Sequence, residues 1–273
     1  MAQRVKKTRA HKAGAKPGAA ERTDCIKFLG TAGARFVMIR QLRRSGGIWL
    51  SCSGAQVLID PGPGSLVAAL RSRPCLDPAK LDAIILTHRH LDHCSDINVM
   101  IEAMTDGGFT KRGAVFCPED ALSGDPVILR YIRQFPEKIE TLSPRAHYRV
   151  KDFMFETSMR HIHPAETYGL RFTAGKTRVG LLTDTRYFKG LEDFYKVDVL
   201  IASVVFYEPR PGIDHLSVQD VKTIVRALCP KKTILTHFGM GMLKAKPHRV
   251  AEELTRELKR EVVAAADGMA LIL

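Results

Sequence analysis

Four apolar residues, Ala83-Ile-Ile-Leu86, run into Thr87, and four metal-ligating side chains follow within six residues: His88, His90, Asp92 and His93. A short run that is apolar at every position and bounded by polar residues reads as a buried strand. It leaves the core at Thr87, with the ligands crowded at its mouth. His88 and His90, two apart on a turn, can converge on one ion. Asp92 and His93 begin the next turn and point elsewhere, where a second ion can sit. Imidazole with carboxylate suits zinc, manganese or iron. With no Cys pair nearby, the pattern speaks for a catalytic centre that keeps a position open for water, not for a structural zinc. A lone histidine would read as a solvated loop; three histidines and an aspartate at the mouth of an apolar strand do not.

The rest of the chain alternates strands with helices. Apolar runs at 26–29, 48–50, 57–59, 153–155, 169–172, 179–182, 199–201 and 233–235 read as strands, and 65–72 and 95–104 as helices. A helix over 217–228 opens on Ser217 with Asp220 three residues on, a capping-box arrangement, and one over 247–261 opens on Pro247. Runs at 262–263 and 270–272 read as a closing strand pair. Residues 125–148 read as either a lid or a packed helix, and Trp49 and Phe109 as core. The alternation gives an α/β fold with mixed sheets.

Composition bounds the remaining classes. The chain has 273 residues and a formal net charge of +13. Residues 1–22 hold seven Lys or Arg against Glu21 and almost no large apolar side chain, so they read as a disordered basic tail before a domain over 23–273. The charge favours polyanions, nucleic acid included, or simply keeps the chain soluble. No apolar run approaches the ~20 residues of a membrane span. The basic N-terminus lacks the apolar stretch of a secretion signal and is poorer in Ser than a mitochondrial presequence. Six cysteines without a C-x-x-C pair indicate a reducing compartment, with the cytoplasm as expectation.

His88-Arg-His90-Leu-Asp92-His93 resembles the H-x-H-x-D-H signature of the metallo-β-lactamase superfamily. That resemblance implies an αββα sandwich carrying two divalent ions, zinc first and manganese or iron next, at its edge. It extends from residue 60 to residue 237. Asp60, in Val57-Leu-Ile-Asp-Pro-Gly62, looks like the strand-end aspartate behind the ligands; His163, in His163-Pro-Ala-Glu-Thr-Tyr-Gly169, like the next ligand, with His161 as its competitor. Asp184, in Thr183-Asp-Thr185, looks like the bridging carboxylate, and His237, in Leu235-Thr-His-Phe-Gly239, like the last ligand. The implied sets are His88, His90 and His163 for one ion, and Asp92, His93 and His237 for the other.

Two such ions would activate a bridging water and clamp the charge of an in-line displacement, chemistry suited to phosphodiesters. Phe28-Leu-Gly-Thr31, the segment 163–172 and Thr183-Asp-Thr-Arg186 look like the branch holding ribonuclease Z and related phosphodiesterases. His215, just ahead of the Ser217 cap, stands where that branch carries a histidine near the leaving group, which implies a catalytic role beside Asp92. Two departures count against tRNA processing: Ala202 and Ser203 replace a glutamate after the strand, with Glu208 at a different spacing, and the interval from His163 to Asp184 is too short for a tRNA-binding arm. The expectation is therefore a hydrolase of small or nucleotide-derived phosphodiesters. Its alternatives are an armless endonuclease, a thioester or lactone hydrolase, and a nucleic-acid-binding protein with a structural metal. Iron-dependent oxygen-reducing members carry Glu at the place of His90, and persulfide-oxidising members bind one iron, which argues against both. Arg40, Arg43 and Arg44 read as a solvated loop or a phosphate contact, and Cys94 as a small buried thiol. Homodimers are common in the resembling families.

Overall fold

The structure, a computed structural model, describes residues 24–273, so the basic stretch 1–22 lies outside the described residues. One sheet takes β1 Cys25–Phe28, β2 Ile48–Cys52, β3 Ala55–Ile59, β4 Ala83–Ile85, β5 Ala114–Cys117 and β6 Lys138–Thr141. The other takes β7 His147–Val150, β8 Phe153–Thr157, β9 Leu170–Ala174, β10 Thr177–Leu182, β11 Val199–Ser203, β12 Lys232–Thr236 and β13 Glu261–Ala264. A last strand, β14 Ala270–Ile272, returns to the first sheet beside β1, so among the described residues each sheet has seven strands. Both are mixed: β3 to β6 run parallel in one, and β10 to β13 in the other.

Strand alternation builds three apolar layers. In β3, Val57 and Ile59 face the second sheet while Leu58 faces outward; in β4, Ala83 and Ile85 point in and Ile84 points out. The inter-sheet core joins these to Phe116, Phe155, Phe172, Leu181, Ile201 and Ile234. Outside the first sheet, Leu58, Ile84 and Val115 pack with Ile97, Met100, Ile101 and Met104 of a helix over Ile97–Met104. Outside the second, Leu182, Leu200 and Leu235 meet Val221, Ile224 and Val225 of the helix Val218–Leu228 and Val250 and Leu254 of the helix Pro247–Leu258. Burying each such side chain contributes roughly 1.5–3 kcal/mol, which is why strands apolar on both faces need helices on both sides. The result is an αββα sandwich, as expected. In chain order the helices are α1 Ala34–Ile39, α2 Ser65–Leu70, α3 Leu91–Cys94, α4 Ile97–Met104, α5 Val218–Leu228, α6 Met240–Ala245 and α7 Pro247–Leu258. Ser217 and Asp220 close a reciprocal capping box on α5. No described helix is long and apolar enough to cross a membrane.

Four expectations are corrected. The two last strands do not pair: β13 lies beside β12, and β14 beside β1 in the opposite sheet. Between them Gly268, at φ +83°, lets the chain cross the open end of the sandwich, and its N–H donates to the Phe28 carbonyl. The helix expected over 247–261 stops at Leu258, where Lys259 turns left-handed and Glu261 opens β13. Residues 125–148 are neither helix nor lid. They form a 3₁₀ turn at Ile132–Gln134 followed by β6 and the start of β7, with Ile128, Ile132, Leu142 and Tyr148 buried in the cores. Trp49 is buried, but Phe109 is 92% exposed, carried out of the core on the Gly107-Gly108 turn after α4.

Candidate metal centre

The parallel strands of both sheets end on the same edge of the sandwich, and the candidate ligands ride on those ends. Asp60 follows β3, His88 and His90 follow β4, Asp184 follows β10 and His237 follows β12; α3 carries Asp92 and His93. His163 comes from the β8–β9 connection, and His215 from the loop after β11. Strand termini are where side chains from separate connections can converge on one point.

Three sets of ligand atoms each lie within 4.8 Å of one another: His88, His90 and His163; His88, His93 and Asp184; and Asp92, His93 and His237. The Asp184 carboxylate sits among them. Its Oδ2 is 3.8 Å from His88 Nε2 and 3.6 Å from His93 Nε2, and its Oδ1 is 3.5 Å from His237 Nδ1. His163 Nε2 stands 2.9 Å from His90 Nδ1, and His93 Nε2 stands 2.9 Å from His237 Nε2. Thus the structure places His163 in the cluster. His161 turns away into the protein, its Nε2 2.9 Å from the Tyr195 hydroxyl.

Neighbouring groups orient the imidazoles. Thr87 donates both its N–H and its O–H to Asp60, at 2.7 Å each. With the Thr87 proton committed, its oxygen is left to accept from His88 Nδ1, 3.2 Å away. His93 Nδ1 donates to Asp60 Oδ2 at 2.9 Å, and His163 Nδ1 to the Asp214 carbonyl at 2.9 Å. In each case Nε2 is aimed into the cluster, the arrangement that raises ligand basicity and fixes ring orientation. Asp60 holds its position at φ +53°.

These residues fit a cation. His88 Nε2, Asp184 Oδ1 and His237 Nδ1 are buried without a hydrogen-bond partner, and an orphaned buried polar atom costs about 1–3 kcal/mol unless something satisfies it. Burial, reinforced by the neighbouring imidazoles, lowers the His88 pKa well below the usual histidine value and that of His90 to about 4, so both present lone pairs at neutral pH. Burial also opposes charge on Asp184, but His237, His215 and His93 around it hold the carboxyl ionised, well below the usual range. His93 is different: burial works against its charge, yet Asp92 and Asp60 raise its pKa well above the ordinary value. A metal taking Nε2 has to displace that proton. Metal uptake is therefore expected to release a proton from His93 and to weaken as pH falls, because ligand nitrogens must be deprotonated. Titration calorimetry in buffers of differing ionisation enthalpy reads this directly; uptake without proton release would refute it.

The remaining candidates divide. His215 Nδ1 is 3.5 Å from Asp184 Oδ2 and its ring centroid 5.1 Å from that of His163, which puts it on the rim of the cluster. Ala202 is buried in the helix-side core, whereas Ser203 lines a cavity of about 50 Å³ beside Asp92, His93 and His237, with Gly46 and Gly47 opposite. Glu208 is exposed in a separate groove between α5 and α7. Arg43 donates to Thr31 Oγ1 at 3.0 Å and lies over the Phe238 ring, Arg44 is held by Asp267, and Arg40 is exposed. The Cys94 thiol is buried, donates to the Arg89 carbonyl and is pushed up to about 12 by burial.

Sequence reasoning passed over the glycines. A Cβ on Gly33 would stand 2.2 Å from the His237 carbonyl, and one on Gly62 would stand 2.0 Å from that of Asp92. Gly62 lies two residues after Asp60, but nothing in the sequence marks Gly33.

Two sheets between helices, with a histidine and aspartate cluster on the strand ends, define a metallo-β-lactamase fold. Residues 55–238 match the family model of the β-lactamase superfamily domain, and the chain belongs to that superfamily of metal-dependent hydrolases. It is 26% identical over 251 residues to the uncharacterized protein MJ1374 of Methanocaldococcus jannaschii, covering 89% of this chain and 93% of that one. A ribonuclease Z of Thermoplasma acidophilum is 28% identical over 149 residues, 53% of this chain and 47% of its own. Among solved structures, the metallo-β-lactamase fold protein YhfI of Bacillus subtilis superposes with a TM-score of 0.73 at 21% identity, covering 92% of this chain and 99% of that one. A diphosphatase from the PhnP family superposes at 0.67 and 22%, covering 92% and 98%.

Proposed function

We propose that this chain is a dinuclear metal-dependent phosphodiesterase acting on a small or nucleotide-derived phosphodiester. The observation that carries the reading is the Asp184 carboxylate, which reaches towards His88 and His93 with one oxygen and His237 with the other. His88, His90 and His163 would hold one ion and Asp92, His93 and His237 the second, with Asp184 between them. The nitrogen and oxygen donors suit zinc first, then manganese or iron. When bound, the ions supply Lewis acidity and a water acidic enough to ionise near neutrality.

The protein's own groups do the rest. Asp60 and the Asp214 carbonyl keep His93 and His163 facing inward, and the buried Asp184 and Asp92 balance positive charge. His215, on the rim, would hydrogen-bond a leaving oxygen and pass it a proton. The ribonuclease Z relative supports a phosphodiester substrate, and the diphosphatase neighbour supports phosphoryl chemistry more broadly. The serine in place of the branch glutamate and the short interval from His163 to Asp184, with no room for a tRNA-binding arm, support a substrate smaller than tRNA.

The test is metal analysis with hydrolysis of bis(p-nitrophenyl) phosphate under zinc or manganese, using Asp92→Ala as control. About two ions per chain and turnover lost in the variant are expected. Metal without phosphodiester turnover would redirect the reading to thioesters and lactones, and salt-sensitive nucleic-acid binding unaffected by Asp92→Ala would favour a binding protein. For His215→Ala, general acid catalysis predicts a loss on the order of 10²–10⁴-fold with alkyl leaving groups. The loss should be far smaller with nitrophenolate, which leaves unprotonated. Equal losses on both substrates would remove His215 from the acid role.

A further inference from the structure

Beneath the cluster lies a histidine that it does not use. His161 is 3% exposed, within two residues of His163, and both its nitrogens are engaged. Its Nδ1 lies 3.2 Å from the Asp184 carbonyl oxygen and 3.3 Å from Thr183 Oγ1. Thr183 already gives its hydroxyl proton to the Tyr168 carbonyl, so both neighbours of Nδ1 accept and Nδ1 carries the hydrogen. Nε2 is then the acceptor, and the Tyr195 hydroxyl, 2.9 Å away, is its donor. Tyr195 is itself fully buried and fixed from behind, because a Cβ on Gly169 would stand on its hydroxyl oxygen.

We propose that Tyr195 and His161 form a positioning relay: Tyr195 fixes the His161 ring by donating to Nε2, and His161, protonated at Nδ1, pins the backbone of Asp184. The proposal rests on the metal-centre reading of the cluster. Two further hydrogen bonds zip the same segments together: Ile162 N–H to Thr185 Oγ1, and Arg186 N–H to the Ile162 carbonyl. The relay therefore sets Asp184, on one connection, against His163, on another, and so fixes the spacing of ligands that must contract around an ion.

The test separates positioning from packing by reversing their order. In His161→Asn the amide nitrogen stands near the place of Nδ1 and can still donate to the Asp184 carbonyl. In His161→Gln the amide reaches the place of Nε2 and leaves that carbonyl unserved, although Gln fills the site better. The expected result is zinc affinity within a few-fold of wild type for His161→Asn and about 10–100-fold weaker for His161→Gln and Tyr195→Phe, the range found when groups behind metal ligands are removed. Nitrogen NMR of the metal-free protein should show the Nδ1–H tautomer in wild type, and in Tyr195→Phe a shift of the Nε2 resonance as that nitrogen loses its hydrogen bond. Gln binding zinc as well as Asn, or a wild-type Nε2–H tautomer, would overturn the relay. Wild-type protein that takes up no zinc would sink the metal reading instead, and the tautomer would still decide whether His161 donates to the Asp184 carbonyl.

Discussion

Asp184→Asn is expected to lower metal-dependent phosphodiester turnover by about 10³-fold or more while leaving the fold intact. Asn keeps the shape and volume of the side chain and removes only its charge. That charge lies among the imidazoles of His88, His93, His215 and His237, all within 3.8 Å. If Asp184 holds both ions, its loss weakens both together, and ions of this kind supply several kcal/mol of transition-state stabilisation, with about 1.4 kcal/mol for each tenfold in rate. Turnover with zinc and the number of ions retained after dialysis are the measurements. A variant within tenfold of wild type that still holds two ions would show that Asp184 does not join them.

Gly62→Ala is expected to cost about 2–3 kcal/mol of stability and most of the metal occupancy. The Cβ it adds would meet the Asp92 carbonyl oxygen at 2.0 Å and the Gly46 nitrogen at 3.2 Å, both backbone atoms that cannot rotate aside. Gly62 is held in place, with its N–H donating to the Asp60 carbonyl at 2.7 Å and its carbonyl accepting from Ser65. The strain therefore falls on α3 and moves Asp92 and His93. The control is Gly54→Ala, where nothing lies within 4 Å and the φ of +74° alone costs about 1–2 kcal/mol without touching the centre. Denaturant midpoints and zinc stoichiometry compare the two. Equal effects would mean that the close approach at Gly62 is relieved by a small shift of the turn.

The elements that sequence reasoning located are those whose cause is local. Ala83–Ile85 is buried on both faces and could only be an interior strand. Ser217 and Asp220 satisfy the first turn of α5 from within four residues, and the αββα fold followed from the H-x-H-x-D-H resemblance together with the strand alternation. The failures were also local readings, applied where distant contacts decide. Alternation shows that 262–263 and 270–272 are strands, but not which edge each joins. Phe109 is apolar in any window, yet the glycine turn before it faces solvent.

The candidate centre divides the same way. Residue type and spacing marked His88, His90, Asp92 and His93, because a turn after a strand presents side chains within a few residues of one another. The meeting of His163 with His90, 73 residues apart, and of His237 with Asp92, 145 residues apart, depends on two sheets bringing their parallel strand ends to one edge. The resemblance favoured His163 over His161 on the Pro and Gly169 that follow it; the packing of Tyr195 against Gly169 turns His161 inward and leaves His163 to face the cluster. The sequence by itself determined the strand mouth and the ligand types. The tertiary structure decided which distant side chains converge there, because that depends on sheet register and backbone close approach, which no local window contains.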